Sequence, residues 1–129
     1  MSDYPPAAAV PCFQFHAREG RLELRLRVQP QGRDLHAFLL GGEWHVGAIA
    51  LATPDGATEM NERPAHREGP LAAMVARRLA TALDCAVSVS AGIHYVDITR
   101  AEIALVEHLT EKLVEEAIGA LPQRSNEPC

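Results

Sequence analysis

Cysteine is scarce and badly placed for cross-linking: Cys12, Cys85 and Cys129 are an odd number at wide spacing, with no Cys-x-x-Cys pair. That pattern excludes a disulfide framework and a thiolate zinc site, and the usage fits a reducing compartment. Long apolar runs are also missing. No stretch approaches the ~18 residues of a membrane span, and Asp3 precedes any Lys or Arg at an N-terminus without a continuous apolar core. Neither a membrane span nor a secretory signal is expected, and the expected location is cytoplasmic. Basic residues form no stripe: the formal net charge is -5 with both signs interspersed, so nucleic acid is not an expected partner. Catalytic signatures are absent as well, with no Gly-x-Ser-x-Gly elbow, Walker loop, Gly-x-Gly-x-x-Gly or paired-His helix motif. Cys85, in an apolar strand segment, reads as a buried inert thiol and not as a nucleophile.

Aromatic residues make up only 5% of a chain that is 47% hydrophobic, so Ala, Leu and Val must build the core and allow close packing of helix on sheet. At 129 residues there is room for one core and not for two. The expected organisation is a single domain over residues 20–119 between flexible tails at 1–19 and 120–129, the first containing Pro5, Pro6 and Pro11.

Periodicity divides the domain. Leu22, Leu24, Leu26 and Val28 alternate with Arg21, Glu23, Arg25 and Arg27, the period of a strand with one wet face. A turn at 29–33 around Pro30 and Gly32 leads to a second strand, Asp34 to Leu40. Gly41-Gly42 and a third strand from Trp44 to Ala52 complete what reads as a β-meander, the third strand central because neither of its faces is charged. A loop from Thr53 to His66 precedes a helix from Pro70 to Leu83, with Gly69 as its N-cap. A fourth strand follows from Cys85 to Ala91. Thr99 with Glu102 then forms a capping box for a helix to about Ile118, stopped by Gly119 and Pro122. The order β-β-β-α-β-α gives an α+β layer fold.

Histidines stand at element ends: His45 before the third strand, His66 before the first helix and His94 after the fourth strand. Such ends can converge, either as ligand contacts or as a metal trio with Glu68 or Asp97 as base, although spacings of 21 and 28 residues identify no known metal motif. His16, His36 and His108 read as ordinary surface residues. The run His66-Arg67-Glu68-Gly69-Pro70 sets a guanidinium and an imidazole before helix amides that can bind a phosphate, while Glu68 opposes an anion and Pro70 removes one donor. Gly41-Gly42 reads as a hairpin turn more than a ligand cradle. Gly47 and Gly92 permit close approach of another backbone or a flat ring, on which Trp44 could stack unless it fills the core.

Three segments in this order, Gly41-Gly42-Glu43-Trp44-His45-Val46-Gly47-Ala48, His66-Arg67-Glu68-Gly69-Pro70-Leu71 and Ala91-Gly92-Ile93-His94-Tyr95-Val96-Asp97-Ile98-Thr99, resemble one family. It is the LpdD-like prenylated-flavin chaperones, the small D subunits that accompany UbiD-type hydroxyarylic acid decarboxylases such as gallate decarboxylase. The resemblance runs from about Arg21 to Ile118. It implies a non-catalytic accessory that binds prenylated FMN (or FMN) and delivers or protects it for the decarboxylase catalytic subunit, with a flavin prenyltransferase as a further candidate partner. A fold like the proteasome assembly chaperones and a homodimer are implied too. Carried over by position, the implied cofactor contacts are His45, Gly47, His66, Arg67, Gly92 and His94. A ligand-free assembly factor and a small metal-dependent enzyme using the three histidines are the alternatives from other classes.

Overall fold

The computed structural model describes residues 12–123; the remainder of both expected tails, with Cys129, lies outside the described residues. Six strands and two helices form in the order β1 (Phe13–Glu19), β2 (Leu22–Gln31), β3 (Asp34–Gly42), β4 (Ala48–Ala52), β5 (Thr58–Glu62), α1 (Gly69–Leu83), β6 (Val87–His94) and α2 (Arg100–Ala120). The strands make one mixed sheet ordered β1-β2-β3-β6-β4-β5, with β3 and β6 parallel and the other neighbours antiparallel. One face carries both helices, α1 over β4, β5 and β6 and α2 over β1 and β2. The α+β class expected from the sequence is the class observed.

The alternation seen in the sequence puts Leu22, Leu24, Leu26 and Val28 on the helix side, all buried, with Leu35, Ala37 and Leu39 beside them on β3 and Val87 and Val89 on β6. The helices answer with Val75, Leu79, Leu83, Leu109, Leu113 and Val114. Each such Leu or Val is worth about 1.5–3 kcal/mol over its exposed state, so this layer dominates the stability. The Thr99–Glu102 capping box is present: the Glu102 amide donates to the Thr99 hydroxyl, and the Thr99 amide to the Glu102 carboxylate. No helix is long and apolar enough to cross a membrane among the described residues.

The strand arrangement departs from a meander in three places. Residues 13–19, expected in the N-terminal tail, are edge strand β1, whose Phe13, Phe15 and Ala17 are half-buried in register with Val28, Leu26 and Leu24. Residues 58–62, expected as loop, are edge strand β5, held to β4 by backbone pairing because Met60 is its only apolar side chain. The C-terminal boundary also moves outward, since α2 reaches Ala120 and Leu121 is buried.

The third departure builds the functional end of the molecule. The stretch expected as one strand from Trp44 to Ala52 splits, because β6 lies between β3 and β4 and the chain must step across it. Residues 43–47 form that strap: the Glu43 amide donates to the His94 carbonyl at 3.0 Å, and the Gly47 amide to the Ala91 carbonyl at 2.8 Å. Gly41-Gly42 accordingly ends β3 and does not turn a hairpin. Nor is β4 covered on both faces, as Ile49 and Leu51 stand 49% exposed on the helix-free side.

Candidate functional site

Beyond the Ala48–Ala91 pair the β4–β6 ladder opens. The Ile93 amide, left without a strand partner there, donates instead to Glu68 Oε2 at 3.2 Å. The other carboxylate oxygen accepts from the Arg67 amide at 3.2 Å, and His45 Nε2 forms an ion pair with Oε2 at 2.6 Å. Glu68 is only 8% exposed and thus ties the strap, the end of β6 and the entry to α1 into one knot. A buried carboxylate is tolerable only because these partners replace its water. His45 Nδ1 lies 3.1 Å from the Glu43 carbonyl, so both ring nitrogens face acceptors.

The two glycines expected at a ligand serve this knot. A Cβ at Gly92 would collide with the His45 carbonyl, and one at Gly47 with the Glu68 carboxylate. Neither lines the cavity; both let strap and carboxylate approach from behind. A flat ring lying directly over them, one role open to them in the sequence, has no room there.

The cavity opens between α1 and α2, with a volume of about 990 Å³. Its floor is apolar: Leu71 and Met74 of α1, Ile93 of β6, Ile98, and Ile103 and Val106 of α2. Around it stand His45, His66, His94, Arg63 and Arg67, with Glu43, Glu68, Glu107 and Glu111 as acidic members. The sequence-predicted His45, His66, Arg67 and His94 thus converge on one cavity. His45 lies 5.2 Å from His66 and 6.5 Å from His94 between ring centroids. Trp44 neither fills the core nor lines this cavity; it is 53% exposed on the strap.

The polar groups differ in what they can still bind. His66 Nδ1 donates to the Pro64 carbonyl at 2.8 Å, which leaves Nε2 available. Arg63 is engaged with the Val46 carbonyl through Nη1. Among the described residues, neither the Arg67 guanidinium nor the His94 ring has a hydrogen-bond or ion-pair partner. Two of the amide positions at the start of α1, expected to be open to a phosphate, are not: Gly69 donates to Glu62 at 2.7 Å, and Pro70 has no N–H. An anion here must therefore rely mainly on side chains.

Among the described residues no group of three or more His, Cys, Asp or Glu is arranged to hold a metal ion. Asp97 does not line the cavity, and Glu68 is committed to its amides and His45. The trio-plus-base arrangement therefore lacks its geometry. Sequence reasoning missed the apolar floor. Its one available signal was Ile98, an apolar residue just ahead of a helix whose stripe begins at Ile103.

No curated protein matches this chain. Among solved structures, a crystal structure of a novel chaperone complex for yeast 20S proteasome assembly is similar at a TM-score of 0.52. The likeness covers 83% of this chain and 94% of that one at 10% sequence identity, and concerns the fold alone. The profile of the prenylated flavin chaperone LpdD-like domain matches residues 18–122, from β1 through the end of α2. With most of its length inside that match, the chain belongs to the family of prenylated flavin chaperone LpdD-like domains.

Proposed function

We propose that this protein is a non-catalytic cytoplasmic accessory, working as a homodimer, that binds prenylated FMN in the cavity between α1 and α2. It delivers the cofactor to, or protects it for, a UbiD-type aromatic acid decarboxylase. The observation that carries the reading is the cavity itself: an apolar floor of Leu71, Met74, Ile93 and Ile103 beside the unpartnered Arg67 and His94. Its volume of about 990 Å³ suits a flavin-sized molecule.

The donor set fits the group chemically. The dimethylbenzene end of an isoalloxazine and the hydrocarbon ring added by prenylation are apolar and gain from leaving water for the floor. A phosphate is matched by the Arg67 guanidinium and by imidazoles that can donate. Glu107 and Glu111, one turn apart on α2, are acceptors for hydroxyl and N–H groups. The prenylated flavin would bring the decarboxylation chemistry to its enzyme; this chain's own residues bind it and shelter one face from water. A carrier also has to meet its acceptor. Trp44, Val46 and Val96 are 53%, 55% and 67% exposed beside the cavity-lining His45 and His94, and are offered for that contact.

The test is an anaerobic titration of the protein with FMN and with reduced prenylated FMN, followed by absorbance and melting temperature. Saturable binding that favours the prenylated form, weakened by Arg67→Ala and His94→Ala, is expected. A folded protein that binds neither flavin would be an assembly factor and not a carrier.

A further inference from the structure

Among the described residues, only the strap at one end crosses the face of the sheet opposite the helices, and the side chains of that face are ordered across the strands. One row, read through the strand registers from β1 to β5, is Gln14, Arg27, Phe38, Ser90, Ile49 and Asn61. The next is Gln29, His36, Ser88, Leu51 and Glu59. Both rows run from basic or polar on β1 and β2, through a ridge of large residues on β3, to small serines on β6. They continue through exposed aliphatics on β4 to acid or amide on β5. The ridge is braced within the chain: the His36 ring bonds to Ser88 and meets the Phe38 ring edge-on at 4.5 Å.

We propose that this face is buried against the same face of a second copy, about a two-fold axis running parallel to the strands between β3 and β6. Such an axis exchanges left and right while keeping each row over itself. The β3 ridge of one copy then lies over the serines of β6 in the other, Phe38 over Ser90, so large meets small. The stem of Arg27 on β2 lies over Ile49 on β4 and Gln29 over Leu51, with the Arg27 guanidinium reaching toward Glu59, one row along on β5. A two-fold across the strands would instead stack β3 on β3 and arginine on arginine. The Arg27 Nε, buried without a hydrogen-bond partner, is a further sign that the face is incomplete in one copy. Sheets packed this way sit about 10 Å apart with their strands roughly aligned. The strap, crossing the face over Gly92, borders the contact at one end. The inference gives the homodimer an interface and does not rest on flavin binding.

Light scattering and sedimentation on the full chain test it. Wild type is expected at twice the chain mass at micromolar concentration. Ser90→Arg, which replaces a socket with a long charge, is expected to raise the dimer dissociation constant more than about 100-fold. Circular dichroism checks its folding; Ile49→Lys, at a 49% exposed position, is the second variant should Ser90→Arg not fold. Arg27→Glu and Glu59→Arg are each expected to weaken the dimer about tenfold, and together to restore it. A wild-type monomer, which would leave the face for some other protein, overturns the proposal. So does a dimer indifferent to both Ser90→Arg and Ile49→Lys, or a double charge reversal weaker than either single one. A monomer that still binds flavin would remove the dimer and leave the carrier reading intact.

Discussion

Beneath the helices, Leu22, Leu24, Leu26, Val75 and Leu79 are held by area alone: apolar on apolar, buried, and tolerant of which neighbour supplies the contact. At the cavity end the same sheet is held by a single carboxylate, Glu68, through two amides and one imidazole, with two glycines making the room. The first region is strong and distributed. The second is local, and every part of it is needed, because a half-satisfied buried charge costs more than none. The difference implies that core and site can be damaged separately.

Gly92→Val should break the second region most severely. Its side chain would collide with the His45 carbonyl, and overpacking of about 3 kcal/mol or more is expected. Thermal unfolding should show the loss, and flavin binding should disappear with the strap. Leu79→Ala, in the fully buried core, should cost a similar amount, about 2–5 kcal/mol, yet leave binding by the folded fraction unchanged. If both substitutions abolish binding in folded protein, core and site are not separable.

Glu68→Gln removes the charge of the buried carboxylate that His45 and two amides face, and should cost about 3 kcal/mol. The Ile93 and Arg67 amides should then exchange hydrogen faster than those of β2, a contrast that hydrogen-exchange mass spectrometry reads directly. Arg67→Ala should show the opposite profile. With an exposed side chain and no intramolecular partner it should move stability by less than about 0.5 kcal/mol, while a lost charge-assisted hydrogen bond weakens flavin binding about 10- to 100-fold.

The smallest effect concerns acid. Glu102, which caps α2, is held down to about 2 from its ordinary 4.5, first by the Arg21 guanidinium and then by the Thr99 amide. Because the folded value is the lower one, this pairing stabilises above about 4.5, and the contribution is lost as pH falls toward 2. Solvent screens the pair, so the effect is modest. Arg21→Gln should flatten the melting temperature across that window; an unchanged acid limb would show that other carboxylates set it.

The same contrast explains what the sequence revealed. The core was legible because alternation at Leu22–Val28 and the helical stripe of Val75 and Leu79 report burial directly. The four lining residues His45, His66, Arg67 and His94 could be picked out by their place at element ends and by family resemblance. Strand order was not legible, since nothing in Trp44–Ala52 announces that β6 inserts beside it. Edge strand β5 was hidden because Thr58–Glu62 is nearly all polar and pairs through its backbone. Glu68 looked like a charge opposed to a phosphate; only the opened ladder at Ile93 makes it the keystone.

Flavin held in the cavity between α1 and α2, as proposed, would leave a direct signature. Amide and methyl chemical-shift mapping of the labelled protein with reduced prenylated FMN tests it residue by residue. Shifts are expected to concentrate at His66, Arg67, Leu71, Met74, Ile93, Ile103 and Val106, with Phe38, Ser90 and Ile49 on the opposite face unmoved. Shifts centred on that opposite face, or none at saturating cofactor, would contradict it.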